Sequence, residues 1–401
     1  MRALRDSWIA VDQGLSSLTN FLVPFSAAMV LEIEQLGRLL TIAALGGTAT
    51  LLIRAAVGEA HLATQAGIDS SGKAGGEDDA TNEPSLCGLG ALAGTASAVV
   101  VLLIGIGLGH LDGASILIVA ALPFVGMLET RRFLYLRREP RAAAMLDLLW
   151  LATTAVAAGI GIATSSAEWS IVGWSAGAAV VAFLPVGRGF AAQISPPLEA
   201  WHRIRDRAKP LLAETAISKG WGQLILLLSA LLLTSQAYGE LRLAYLVFSP
   251  LNVLAPIVGL YVYNSEKSRS SLVMRLSILT ASLWVFPAAL AVLAIPGTPR
   301  PFAPFGALLI VLSVRYCLVF ASGAVGAALK VKGRGWAHAR AELVGAGVAA
   351  ATSLSGAAIW REPLVFLLAH AVGGAVSLML SRSANGPEPG TGPDSNDRLS
   401  R

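Results

Sequence analysis

Apolar residues in this chain come in long unbroken runs rather than in alternation or in narrow stripes. Residues 86–109, 142–164, 211–234 and 272–295 are each apolar enough to cross a bilayer, whose hydrocarbon core takes about 20 residues of helix. Followed along the whole chain, the pattern predicts twelve spans, near 9–30, 36–57, 86–109, 111–128, 142–165, 168–187, 211–235, 241–263, 272–295, 304–328, 341–359 and 363–380. The expected fold class is therefore an all-α polytopic membrane protein. Composition agrees: 55% of residues are hydrophobic, only 14% are charged, and mean hydropathy is +0.65.

Charge fixes the orientation of those spans. With the N-terminus inside, the segments 1–8, 58–85, 129–141, 188–210, 264–271, 329–340 and 381–401 are internal and hold 22 of the 30 Lys and Arg residues. The external loops hold two, Arg300 and Arg361. That asymmetry is the positive-inside distribution, with both termini inside. It also accounts for the basic pI of about 9.4 without a nucleic-acid partner. Arg131, Arg132, Arg137, Arg138 and Arg141, and Arg203, Arg205, Arg207 and Lys209, are expected to face anionic membrane lipids. Trp150, Trp169, Trp201, Trp336 and Trp360 are expected at the membrane interfaces. The first run carries Asp12, Gln13 and Asn20 and reads as a retained helix rather than a cleaved signal. Cys87 and Cys317 have neither the spacing of a metal site nor that of a disulfide framework, and no cofactor is expected.

The chain also reads as written twice. Residues 12–43 align without gaps to residues 214–245 at an offset of 202, matching Asp12 to Glu214, Ser16 to Ser218 and Gly37 to Gly239. Six spans precede the break and six follow it, so both halves have the same orientation and form parallel repeats. The expected organisation is an N-terminal six-helix lobe, 1–187, a basic linker, 188–210, a C-terminal six-helix lobe, 211–380, and a tail, 381–401. The two lobes flank a central cavity. The acidic, Gly-rich 64–85 segment and the tail are expected to be disordered and cytoplasmic.

Several strings carry a family resemblance: DQGLSSLTNFLVPFSAA at the start, VGEA at 57–60, RRFLYLRREPRAAAMLDLLW at 131–150 and LRLAYLVFSPLNVL at 241–254. They resemble bacterial polysaccharide exporters, the O-antigen-flippase-like branch of the multidrug/oligosaccharidyl-lipid/polysaccharide (MOP) exporter superfamily. The resemblance implies a multi-pass flippase of the cytoplasmic (inner) membrane. Its cargo would be an oligosaccharide on a polyprenyl pyrophosphate, moved by alternating access, with glycan polymerase or ligase proteins as partners. A polar path is what such cargo needs, because each polar group buried without a partner costs several kcal/mol, of order 2–7.

Ionisable residues inside spans are the remaining pointers, since they are costly unless they meet a cavity or a partner. Arg315 lies near the bilayer midplane, where a guanidinium can grip a pyrophosphate with two hydrogen bonds or pair structurally with an acid. Lys219 is a second cargo contact or half of an ion pair between lobes. Asp12, Glu214 and Asp147 are candidates for a gate or for ion coupling. Arg54 and Arg242 are expected to snorkel from span ends, and His370 to be packed within a small-residue helix or to be proton-linked. Glycines at 105–109 and 345–347 are expected to let helices approach closely.

An enzyme is disfavoured: there are no paired carboxylates in a large external loop, no nucleophile–base order, no nucleotide loop and no metal-ligand spacing. The competing readings are a cation-coupled small-molecule antiporter of the same superfamily and a non-transporting scaffold for glycan assembly.

Overall fold

The computed structural model describes residues 2–61, 83–184, 197–253, 267–294, 302–331 and 334–384. Those residues are all-helical, at 92% helix with no strand among them. Most of segment 64–85, part of the linker and nearly all of the tail lie outside the described residues. In the first half, α1 is Arg2–Ala28, α2 Ile33–Ile53, α3 Glu83–Leu108, α4 Gly113–Arg138, α5 Pro140–Ala163 and α6 Glu168–Phe183. The second half begins with α7, Pro197–Thr215, and α8, Trp221–Ser229. It continues through α9, Ser235–Phe248, α10, Lys267–Leu283, and α11, Val285–Ala294. It closes with α12, Phe302–Val331, α13, Gly335–Trp360, and α14, Pro363–Ala384. Among the described residues, seven helical stretches are long and apolar enough to span a membrane, and two shorter apolar ones accompany them.

Local chemistry sets the breaks. Asp112 caps α4 by accepting a hydrogen bond from Ser115 N at 2.7 Å, and Thr234 caps α9 in the same way through Ala237 N. Proline stands first in α5 and in α14, where a missing N–H costs nothing. Gly109 ends α3 at φ +65°. Two helices pass through a π-helical turn, Arg54–Glu59 after α2 and Ala216–Gly220 between α7 and α8. Such turns concentrate at functional positions.

The helix pairings of the first half recur in the second. In the first, α1 packs on α5, α5 on α6, α4 on α6, α3 on α4 and α2 on α4. In the second, the 216–220 turn and α8 pack on α13, α13 on α14, α12 on α14, α10 on α12 and α9 on α12. Between the halves α2 packs against α9 to form a seam, and α7 packs on α3 and the 54–59 turn. Outward faces carry large apolar residues such as Leu103, Ile106, Val156, Phe286 and Leu290, as lipid contact requires.

Close helix approach falls only partly on the expected glycines. A methyl at Gly345 would sit 2.6 Å from the Gly373 carbonyl oxygen, so α13 and α14 touch backbone to backbone, whereas Gly107 and Gly347 face open space. In the first half α3 and α4 also approach backbone to backbone, through Gly90, Gly94 and Gly126. Gly126→Leu is expected to destabilise the protein by about 1–3 kcal/mol through overpacking, measured by denaturant titration in detergent. An unchanged midpoint would mean that the crossing tolerates side chains.

Two other expectations are corrected, and the linker takes on structure. Trp150 is fully buried rather than interfacial, with its indole donating to the Trp174 carbonyl at 2.8 Å. The internal segment drawn from 129 is a continuation of α4, and Arg131 and Arg132 are buried at 1% and 0% exposure rather than facing lipid. Most of the linker from 197 is α7, an amphipathic helix burying Ala200, Ile204 and Ala208 against α3 and the 54–59 turn.

Candidate functional site

The inner half of the first bundle holds a closed charge cluster. Helix α4 carries Glu129 and Arg132 one turn apart, α1 carries Asp12 and Ser16, α5 carries Asp147, and the 54–59 turn carries Arg54. Arg132 is the hub. Its Nε lies 3.1 Å from Asp12 Oδ2. Its Nη1 lies 3.0 Å from Glu129 Oε1 and 3.6 Å from Asp147 Oδ2. The same Nη1 donates to Ser16 Oγ at 2.8 Å. Arg54 Nη2 donates to Glu129 Oε2 at 3.0 Å and its guanidinium stacks on Phe133, 5.2 Å from the ring centre. Gln13 donates to Asp12. Neighbouring Arg131 turns to α6, donating to the Val181 and Ala182 carbonyls at 3.1 and 3.0 Å, which satisfies acceptors near a helix C-terminus.

Asp12, Glu129, Asp147 and Arg132 are all at 1% exposure or less. Three carboxylates share two guanidiniums, one negative charge in excess when all are ionised. Asp12 Oδ1 and both Asp147 oxygens have no hydrogen-bond donor. Low-dielectric surroundings make that excess costly, so the cluster is suited to taking up one positive charge.

Asp12 and Asp147, expected from the sequence as separate candidates, thus meet on one arginine. Glu129 and Arg132 were missed because they stood among supposed headgroup ligands; their spacing of three on an uninterrupted helix was the available signal. Arg54 and Arg242 do not snorkel. Arg54 is paired as above, and Arg242 is buried, donating to the Leu40 carbonyl across the seam. The side chains of Glu214 and Lys219 lie outside the described residues.

The seam near the outer ends of α2 and α9 is closed. Gly37 faces Gly239, a methyl at Gly37 falling 3.4 Å from the Gly239 Cα. Thr41 Oγ1 and the Tyr238 hydroxyl lie 2.8 Å apart. Gly37 and Gly239, and Leu40 and Arg242, are each separated by the repeat offset of 202, as residues beside a local two-fold axis must be.

The second bundle carries its charges differently. Arg315 on α12 lies 5.1 Å from the Tyr245 ring centre and 5.9 Å from that of Tyr316, and among the described residues it makes no ion pair. Closer to the inner face, Glu342 Oε1 accepts from Ser322 and Ser377 hydroxyls, both at 2.7 Å. His338 Nε2 lies 3.9 Å from Glu342 Oε1, and its Nδ1 lies 3.1 Å from Ser381 Oγ. Among the described residues no group of His, Cys, Asp and Glu could hold a metal ion.

No protein-family model matches the chain, and no curated protein matches it. Solved structures do. The chain is similar to the lipid II flippase MurJ in an inward closed conformation, with TM-score 0.70, 9% identity, and coverage of 94% of this chain and 87% of that one. It is similar to a eukaryotic MATE transporter, AtDTX14, with TM-score 0.64, 13% identity and coverage of 96% and 95%. It is also similar to an inward-facing multidrug resistance MATE family transporter of the MOP superfamily, with TM-score 0.63, 11% identity and coverage of 92% and 94%. The chain has the twelve-helix, two-lobe fold of these transporters.

Proposed function

We propose that the chain is an alternating-access flippase of the cytoplasmic membrane that moves a polyprenyl-pyrophosphate-linked oligosaccharide. The observation that carries this reading is Arg315, a guanidinium in the middle of a membrane helix with no acidic partner among the described residues. A cation there is too costly to keep for packing alone, and a pyrophosphate is the partner that its planar fork fits. The fold held in common with a lipid II flippase supports a lipid-linked cargo. Lys219 is proposed as a second cargo contact. Glu214, with Asp12 and Asp147, is proposed to serve gating or ion coupling, and the excess charge around Arg132 is the coupling element.

The test is flipping in proteoliposomes. A fluorescent polyprenyl-pyrophosphate oligosaccharide is added outside, and its protection from an external glycosidase is followed. Wild type is expected to transport. Arg315→Ala is expected to lower the rate about 10- to 150-fold, the worth of about 1.5–3 kcal/mol for a charged hydrogen bond. Asp147→Asn is expected to abolish the response to imposed ion gradients while leaving the protein folded, since it removes the excess charge.

The second reading, a cation-coupled small-molecule antiporter, draws on the same acidic cluster and on the likeness to multidrug transporters. Proton- or sodium-driven efflux of a fluorescent organic cation, with no glycolipid movement, would favour it.

A further inference from the structure

Among the described residues of the second bundle, Arg315 makes no ion pair, and the Tyr245 hydroxyl and His370 Nδ1, like Arg242 Nε and Ser249 Oγ, are buried without a hydrogen-bond partner. Arg315 comes from α12, Tyr245 from α9 and His370 from α14, helices that pack on one another. From the outer helix ends they lie about 20, 15 and 10 Å deep at 1.5 Å per residue. The Arg315 guanidinium lies 5.1 Å from the Tyr245 ring centre, and the helix that carries His370 packs on the one that carries Arg315.

Arg242 is held by the Leu40 carbonyl through one guanidinium nitrogen, its Nε remaining without a partner, and the Tyr316 hydroxyl donates to Asn252 Oδ1 at 3.2 Å. The Tyr245 hydroxyl is buried without a hydrogen-bond partner. His370 is 8% exposed with a bare Nδ1, its ring edge-on to Phe366. Buried polar atoms in native proteins are normally paired, and each exception calls for an explanation, a bound ligand being one. Here the groups are a guanidinium, a phenol and an imidazole nitrogen, all able to donate, and among the described residues none of them pairs with an acid.

We infer that Arg315, Tyr245 and His370 form a phosphate-binding pocket within the C-terminal lobe. Arg315 supplies the charge and two parallel donors, while the Tyr245 hydroxyl and the His370 Nδ1–H donate to the remaining oxygens. This deepens the flippase reading and rests on it for the ligand class, a phosphate ester. Lipid-borne and free phosphate share that chemistry.

The test is calorimetric titration of the full chain in phosphatidylcholine nanodiscs with inorganic pyrophosphate and with farnesyl pyrophosphate. Arg315→Gln is expected to weaken binding about 10- to 100-fold and Tyr245→Phe about fivefold. Tyr245→Phe removes a hydroxyl that is unpaired without ligand, so the ligand-free protein should unfold at the same temperature or higher. A hydroxyl with a purely structural role would instead lower it. Binding of farnesyl pyrophosphate alone, with the same variant pattern, assigns the pocket to lipid-borne phosphate; binding of both admits the free ion. Affinities equal in wild type and both variants, or no binding of either probe, overturn the pocket. Flipping by wild type alongside that result leaves the flippase reading standing. Variant-sensitive binding without any flipping overturns the flippase reading and keeps the pocket.

Discussion

Arg132→Met is expected to be the most damaging single substitution in the protein, costing about 3–5 kcal/mol of stability. The change keeps much of the side-chain volume but leaves Asp12, Glu129 and Asp147 buried with only Arg54 to balance them. Losing one partner of a buried ion pair costs more than the pair contributes, because the stranded charge stays out of water. The measurement is denaturant unfolding of detergent-purified protein. Adding Asp12→Asn and Asp147→Asn to Arg132→Met is expected to restore most of the loss, since those two stranded charges go with the arginine while Glu129 keeps Arg54. A loss below about 1 kcal/mol, the range of exposed pairs, would mean that water reaches the cluster.

Gly239→Leu is expected to hold the outer face open and stop transport. A side chain at 239 runs into the Ile33 carbonyl, 2.6 Å from the position of its Cβ, so α2 and α9 cannot close as they do here. Overpacking of that kind costs about 1–3 kcal/mol in the closed state only, shifting the balance of states about 5- to 150-fold. With Cys87 and Cys317 replaced by serine, Thr41→Cys reports the change by reaction with a membrane-impermeant maleimide from outside. Labelling should be slow in the parent and fast with Gly239→Leu. Slow labelling in both would place the seam away from the gate.

How far the site could be read in advance depended on the residue. Arg315 stood out because an isolated guanidinium in an apolar run is anomalous on its own. Asp12 and Asp147 were legible as buried acids, but nothing in one dimension says that both reach the same arginine. Arg132 was read wrongly because ETRR looks like the inner end of a span. The helix continues because its charges are satisfied internally, and only the packing of α1 and α5 on α4 provides that. The pairing of Gly37 with Gly239 was present as a repeat, yet a repeat places residues on equivalent helices without bringing them to the axis.

What the sequence determined alone was the solvent, the class of fold and the orientation. Bilayer hydrocarbon acts on each segment separately, so run length gives the spans and the distribution of Lys and Arg gives the sidedness. What only the tertiary structure decided was which polar groups find partners. Ser16 and Arg132 are 116 residues apart and Leu40 and Arg242 are 202 apart. In hydrocarbon such groups must pair with protein or bind something else, and packing alone determines which of them are left over.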